Sequence, residues 1–314
     1  MNILVTGGAG FIGSHIVERL RADGHRVSVI DNFRTGKREN LAPDVPIYEL
    51  DLIDASLDEV FEKERPDAVC HQAAVTNVAL SIADPIGSAK GNILATVNVL
   101  EACRRYNVKR VVFASTGGAL YGATDVFPTP ETHPTAPISP YGVSKLASER
   151  YLYSYNQIYG IPVTILRYSN IFGPRQDRKG EGGVVMLFLK KLLMPENGPV
   201  VINGDGEQTR DLVFVEDIAE ANRLALLDQR PGFQTYNVAT GSETTINDLY
   251  RILAEEVGVN PNPTHGPALP GEIRRSCLDT RRIRTELGWE PRGTLRENIR
   301  KTIAYFRENY HLVD

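Results

Sequence analysis

Asn2-Ile3-Leu4-Val5-Thr6-Gly7-Gly8-Ala9-Gly10-Phe11-Ile12-Gly13 is the stretch on which the reading of this chain turns. Asn2 and the four aliphatic or β-branched residues after it read as a short strand, the glycines follow at once, and Ser14 to Ala22 reads as an amphipathic helix ending near Gly24. Glycine admits positive φ and lets an anion approach without a Cβ in the way, while the helix start offers free N–H groups to a diphosphate. Two registers fit: Gly8, Gly10 and Gly13 with the spacing G-x-G-x-x-G, or Gly7, Gly10 and Gly13 with a wider first gap. Val27-Ser28-Val29-Ile30 reads as the next strand and ends at Asp31, about 20 residues beyond the glycines, where a carboxylate can accept the adenosine ribose hydroxyls of NAD and repel the 2′-phosphate of NADP. Arg34 and Lys37 nearby keep NADP as a second option.

The pattern continues outward from this turn. Ile47–Leu50, Ala68–His71 and Arg110–Ala114 read as strands, separated by a helix with a Ser56/Glu59 capping box and a long helix around Ile93 to Arg105. A helix from about Tyr141 to Tyr159 then leads to the strand Val163–Arg167. Such alternation implies right-handed crossovers and a parallel sheet, so the fold class is α/β, a Rossmann-type doubly wound sheet. Ligands of such sheets gather beyond the carboxyl ends of the strands, which singles out Asp51-Leu52, His71-Gln72-Ala73-Ala74 and Ser115-Thr116. Beyond residue 170 the regularity breaks. The expected division is a cofactor-binding domain over 1–170, joined by a strand returning near 234–240, and a smaller mixed α/β substrate lobe over 171–314. Within that lobe Asn203 to Asp211 reads as a turn-rich hairpin that delivers Arg210, either to a phosphate or to a surface ion pair with Asp205 or Asp211.

Tyr141 and Lys145 in Ser139-Pro140-Tyr141-Gly142-Val143-Ser144-Lys145 carry the expected chemistry. Residues four apart share a helix face, so the ammonium can stand near the phenol oxygen. A tyrosine that titrates near pH ~10 needs roughly 4 kcal/mol of preferential phenolate stabilisation to serve as a base near pH 7. The Lys145 cation, an oxidised nicotinamide and a helix N-terminus capped by Ser139 with Pro140 first can share that load.

Net charge is −4 at pH 7 over 314 residues, so no basic surface invites nucleic acid. Cys70, Cys103 and Cys277 form no C-x-x-C pair, which points to a reducing compartment, and the six histidines lack metal-ligand spacing, so no metal is expected. The first strand begins at residue 2 and no apolar run approaches the roughly 18 residues needed to cross a bilayer. A cytoplasmic protein without membrane partners is expected.

These motifs, in this order, make the chain resemble extended short-chain dehydrogenase/reductases of the UDP-glucose 4-epimerase (NAD-dependent epimerase/dehydratase) group. The likeness extends over nearly the whole length, through Arg167-Tyr168-Ser169-Asn170, Gly204-Asp205-Gly206 with Arg210-Asp211, and Leu287-Gly288-Trp289. It implies tightly held NAD contacted by Gly7, Gly10, Phe11, Ile12, Gly13, Asp31, Asn32, Asp51 and Leu52, then Gln72, Ala73, Ala74, Asn92, Ser115, Tyr141, Lys145 and Tyr168. It further implies a UDP-sugar held by Asn170, Arg210, Glu272 and Ser276, and a homodimer built on the helices near 93–105 and 141–159. The implied reaction removes the sugar C4 hydroxyl proton to Tyr141 and the C4 hydride to NAD, turns the 4-keto sugar over and returns the hydride, interconverting UDP-glucose and UDP-galactose. Thr116 is the expected assisting hydroxyl and Ser115 the alternative, because Gly117 stands where relatives commonly carry Ser or Thr. The loop Gly117-Gly118-Ala119-Leu120 lacks the carboxylic residues expected of relatives that dehydrate or decarboxylate, which favours epimerisation over a dTDP-glucose dehydratase. A UDP-glucuronate 4-epimerase is another alternative, and a non-catalytic NAD sensor is a remote one. Leu269-Pro270-Gly271-Glu272 lacks the arginine of the corresponding turn in relatives, so Arg274 or Arg275 is expected to compensate unless Arg210 suffices. The small Ser276 suggests room for a 2-acetamido group, hence UDP-N-acetylhexosamines as further substrates.

Overall fold

The computed structural model describes residues 1–176, 183–268 and 273–309. Strand β1 (Asn2–Thr6) is apolar and buried from Ile3 onward, as a strand covered on both faces must be. Helix α1 (Phe11–Ala22) starts three residues before Ser14, because Gly10 itself serves as the N-cap. There follow β2 (Arg26–Asp31), β3 (Ile47–Glu49), α2 (Leu57–Glu64) and β4 (Ala68–His71). Two short helices, α3 (Val78–Ala83) and α4 (Pro85–Ala89), run through a π-helical turn, Lys90–Leu94, into α5 (Ala95–Arg105). Strand β5 (Arg110–Thr116), helix α6 (Pro140–Tyr159) and β6 (Val163–Tyr168) complete the alternation.

The main sheet has seven strands in the order β11-β6-β5-β4-β1-β2-β3, β11 being Phe233–Val238. Every pairing within it is parallel. The order reverses between β1 and β4, so a crevice opens beyond their carboxyl ends, where the glycine turn meets Ala73. Apolar helices cover both faces. One core layer joins Ile16, Val17 and Leu20 of α1 to Ile218 and Ala225 of α8 (Val215–Leu227), and the other joins Phe61 of α2, Leu100 of α5 and Leu152 of α6.

Helix α10 (Arg281–Leu287) packs on β11 of the main sheet, and the remaining elements build the smaller lobe: β7 (Asn170–Phe172), α7 (Val184–Leu193), β8 (Val201–Asn203), β9 (Thr209–Arg210), β10 (Leu212–Phe214), β12 (Thr244–Thr245), α9 (Ile246–Val257), β13 (Thr264–Gly266) and α11 (Leu295–Glu308). Its own core gathers Phe172, Phe188, Leu189, Phe214, Leu253 and Phe306.

Two local expectations are corrected. Ser56 lies at φ −67°, ψ −7°, inside a coiled turn rather than in the extended conformation a cap needs, and its side chain makes no capping bond. A capping box forms instead at Thr294 with Glu297. The segment 203–211 is not a hairpin: β8 pairs with β13 and β9 with β12, so the turn between them links two separate two-stranded sheets.

Candidate active site

The glycine turn resolves its own register. Gly7 holds φ +67°, and a Cβ there would lie 2.7 Å from the Ala73 nitrogen, while a Cβ on Gly13 would collide with the Gly7 carbonyl. Gly8 faces the other way, packed on Val29. The working set is therefore Gly7, Gly10 and Gly13, all of which line a cavity of about 650 Å³. That volume falls within the range of ligand-binding clefts, roughly 300–1,000 Å³.

Phe11, Ile12, Asp31, Asn32, Asp51, Leu52, Gln72, Ala73 and Ala74 line the same cavity. Asp31 is buried at the end of β2, and its carboxylate accepts the N–H groups of Ala9 and Phe33, both at 2.9 Å. Burial raises its pKa despite these two bonds, so it gains from any further donor. Asn32 donates to Asp51 at 3.1 Å, linking the ends of neighbouring strands. Arg34, Lys37, Val75, Asn77, Arg175, Gln176, Tyr305, Phe306 and Asn309 also line it. Of these only Arg34 and Lys37 were noticed in the sequence, because the rest come from loops and from α11, remote in the chain.

Five residues expected at the cofactor, Asn92, Ser115, Tyr141, Lys145 and Tyr168, are not among those that line this cavity. Asn92, in the π-helical turn, is buried and bonded through its amide to Val75 N, Val75 O and Ser144 Oγ, so it fixes the cavity wall and α6 relative to each other. Tyr168 is buried with its hydroxyl bonded to Asn222 and to Gln72, and burial pushes its pKa up. Ser115 is also buried, and its hydroxyl donates to Glu149 Oε1 at 2.6 Å. Both Ser115 and Thr116 belong to β5 rather than to the loop beyond it. Alternation along the strand sends their side chains to opposite faces, and half-exposed Thr116, which caps the next turn by accepting Ala119 N–H at 3.3 Å, is the hydroxyl left at the strand end.

Helix α6 begins as its sequence implies: Ser139 Oγ accepts Gly142 N–H at 3.1 Å, and Pro140 is the first helical residue. Tyr141 therefore lies in the first turn, its own N–H donated to Ser81 Oγ at 3.1 Å. Lys145 is buried, with Nζ donating to the Ala114 carbonyl at 2.9 Å and standing 4.7 Å from the centre of the Phe113 ring. Burial and the nearby Lys145 cation depress the pKa of His71 to about 3, so that imidazole stays neutral between Thr6 and Thr96. Behind them Glu149 holds Arg167 in a two-pronged buried ion pair, Nη2 to Oε2 at 2.7 Å, and Arg167 in turn donates to Tyr121.

The model of the NAD-dependent epimerase/dehydratase family matches residues 3–239. The chain belongs to that family. A solved UDP-glucose 4-epimerase of Thermotoga maritima with UDP-glucose is 44% identical, with a TM-score of 0.94 over 99% of this chain and 100% of that one. The Thermus thermophilus UDP-glucose 4-epimerase in complex with NAD is also 44% identical, with a TM-score of 0.90 over 98% of this chain and 99% of that one. A UDP-N-acetylglucosamine 4-epimerase of Methanobrevibacter ruminantium is 36% identical, with a TM-score of 0.92 over 98% of both chains. The protein is thus an NAD-dependent epimerase, and the cavity described above fits that cofactor, with free N–H groups at the start of α1 for the phosphates and Asp31 for a ribose.

Asn170, Arg210, Arg274, Arg275 and Ser276, expected near the substrate, lie beyond the strand β6. Asn170 opens β7 with its N–H bonded to the Asp211 carbonyl at 3.1 Å. Arg210 is anchored by Nη1 to the carbonyls of Thr209 and Ile273, at 2.8 and 2.9 Å. Asp211 is buried and accepts from Thr240, Gly241 and Leu278, so it shapes the wall rather than pairing across the surface. The arginines expected to compensate are engaged by carboxylates: Arg274 with Asp205 at 2.7 and 2.8 Å, Arg275 with Glu243 at 2.6 and 3.0 Å. Ser276 is half-exposed beside them, and Glu272 lies outside the described residues. Leu278 fills the space beside Gly117 that a side chain there would need, which explains the glycine at that place. Among the described residues no cluster of His, Cys, Asp and Glu could hold a metal, and no helix is long and apolar enough to cross a membrane.

Proposed function

We propose that the protein is a nucleotide-sugar 4-epimerase that interconverts UDP-glucose and UDP-galactose. The observation that carries this reading is the composition of the reaction site: a first-turn tyrosine, a buried lysine four residues on and a strand-end threonine, with Gly117-Gly118-Ala119-Leu120 following and no carboxylate among them. Bound NAD supplies the acceptor and later the donor of the C4 hydride. Tyr141 removes the proton of the sugar C4 hydroxyl and gives it back after the ketone has turned over. Lys145 contributes positive charge that favours the phenolate, and Thr116 donates to the oxygen at C4 as it becomes a carbonyl. Asn170 and Arg210 hold the diphosphate, a fixed tether about which the sugar rotates. Without an acid or base in the Gly117–Leu120 loop, the 4-keto sugar has hydride return as its one route onward. This separates the reading from dehydration of dTDP-glucose.

The same site is proposed to accept UDP-N-acetylhexosamines. Small Ser276 supports this, as does the solved relative that acts on UDP-N-acetylglucosamine. Asn170, Arg210 and Ser276 keep the substrate roles assigned from the resemblance, and Glu272 keeps its own as an expectation. A homodimer is proposed through the outer face of α3 to α6, where Ile82, Ile86, Leu94, Val143, Tyr151 and Ile158 are all at least 45% exposed. The three free, buried cysteines suit a cytoplasmic setting.

The decisive experiment incubates the purified protein with UDP-galactose and no added cofactor. UDP-glucose is the expected product; its absence, with NAD present in the protein, refutes the reading. Running UDP-N-acetylgalactosamine, UDP-glucuronate and dTDP-glucose in parallel fixes the range. Ser276→Tyr is expected to lower turnover of the N-acetylated sugar at least tenfold relative to UDP-galactose, and an unchanged ratio removes Ser276 from the sugar pocket.

A further inference from the structure

Arg175 belongs to neither the glycine turn nor the tyrosine–lysine pair. It follows β7 in Gly173-Pro174-Arg175-Gln176, at the passage from the main sheet into the lobe, and lines the cofactor cavity together with Gly10, Phe11 and Gly13. Its backbone sits at φ +66°, a left-handed conformation that costs a non-glycine residue about 1 kcal/mol and persists only where surroundings enforce it. The enforcement is visible. His15 Nε2 lies 3.0 Å from the Pro174 carbonyl, docking the turn on α1, and Phe11, His15 and Glu18 share the helix face it meets. Burial and the Arg175 charge lower the pKa of His15, leaving the guanidinium as the cation at this place.

The two ends of that guanidinium differ. Nη2 donates to Glu18 Oε2 at 2.7 Å, at the solvent side, where Glu18 is 66% exposed. Nη1 is shielded from solvent and meets no hydrogen-bond acceptor among the described residues. A sequestered charged donor without a partner is costly, so the guanidinium gains by turning toward an acceptor that enters the cavity. The neighbouring N-terminus of α1 has no side-chain cap, and its free N–H groups already favour an anion.

We propose that Arg175 completes the clamp on the NAD diphosphate from the lobe side, its guanidinium leaving the exposed pair with Glu18, in which Nη1 is out of reach of solvent, and turning into the cavity it lines. The turn supplies backbone donors from below, and the arginine supplies mobile-charge neutralisation from above. The loop that begins the substrate lobe thereby also ties down the cofactor.

The test measures binding to cofactor-stripped protein by equilibrium dialysis, using NAD, ADP and adenosine as probes. Arg175→Met is expected to weaken NAD and ADP by ten- to a hundredfold, the range of one charge-assisted bond, and to leave adenosine within threefold of wild type. The purified variant is expected to carry less NAD than the wild type, and Arg175→Lys to recover part of the loss. Glu18→Gln is expected to retain NAD within threefold. Unchanged NAD and ADP affinity in Arg175→Met overturns the proposal. Equal weakening of adenosine and ADP overturns it too, since that means a damaged wall, and so does a loss in Glu18→Gln as large as in Arg175→Met, since that means a structural staple.

Discussion

The cofactor cleft of this protein and the wall proposed to face the sugar are built on different principles. The cleft is made of backbone: Gly7 and Gly13 in close contact, strand ends, and a helix start whose donors need no side chain. Among the carboxylates that line it, Asp31 is buried and fixed by two N–H groups. The wall is made of long side chains already satisfied by one another, Arg274 on Asp205 and Arg275 on Glu243, all in part exposed. A rigid cleft suits a cofactor that stays through each turnover. Exposed ion pairs are screened by solvent, so on the proposed reading this wall can exchange partners with a sugar nucleotide at little cost.

The contrast is broken most directly at the junction of the two. Tyr141→Phe keeps the first turn of α6 and the ring but removes the acid–base oxygen. Turnover of UDP-galactose, followed by chromatography of the sugar nucleotides, is expected to fall about 10³-fold while bound NAD is retained. If NAD is lost instead, the cleft is less independent of the reaction site than drawn here.

Next in size is the pair behind the cleft. Glu149→Ala leaves Arg167 buried and unpaired and frees the Ser115 hydroxyl, so urea unfolding is expected to show a loss of about 4 kcal/mol. Rigidity on the cofactor side then has a measurable source.

A third change acts at the seam, where Asp217 of α8 accepts the Arg292 N–H at 3.0 Å. Burial raises its pKa to about 6. The unfolded carboxyl ionises near ~3.9 while the native one keeps its proton, so stability falls as pH rises from about 4 to 6 and levels off above. Asp217→Asn is expected to abolish that fall and to be about 2 kcal/mol more stable at pH 7.5, with no difference near pH 4, as read from thermal melts.

The smallest effect belongs to the wall. The Asp205 carboxyl titrates at about 2 through its bonds with Arg274, yet Arg274 is 60% exposed and so is well screened. Arg274→Ala is expected to leave the thermal melt nearly unchanged and to change KM for UDP-galactose by no more than fivefold. A larger change in KM would make this arginine a substrate ligand and the wall less interchangeable than the comparison holds.

The sequence alone settled what depends on covalent neighbours. Strand, glycine turn and helix start in Asn2–Gly13, the Ser139-Pro140 opening of α6 and the four-residue spacing of Tyr141 and Lys145 are local matters, because φ, capping and helix periodicity are fixed within a few residues. The alternation that produced a parallel sheet is equally local. Even there Ser56 misled, since the turn before it coils and withdraws the cap. Choices among equivalent groups needed the folded chain. Which of Ser115 and Thr116 remains at the strand end depends on Glu149, 34 residues away from Ser115; whether Arg274 stands free depends on Asp205, 69 away; where the Arg175 guanidinium rests depends on Glu18, 157 away. Partnership across such separations is decided by packing and by the cost of leaving a buried polar group unpaired, and neither is written in the order of residues.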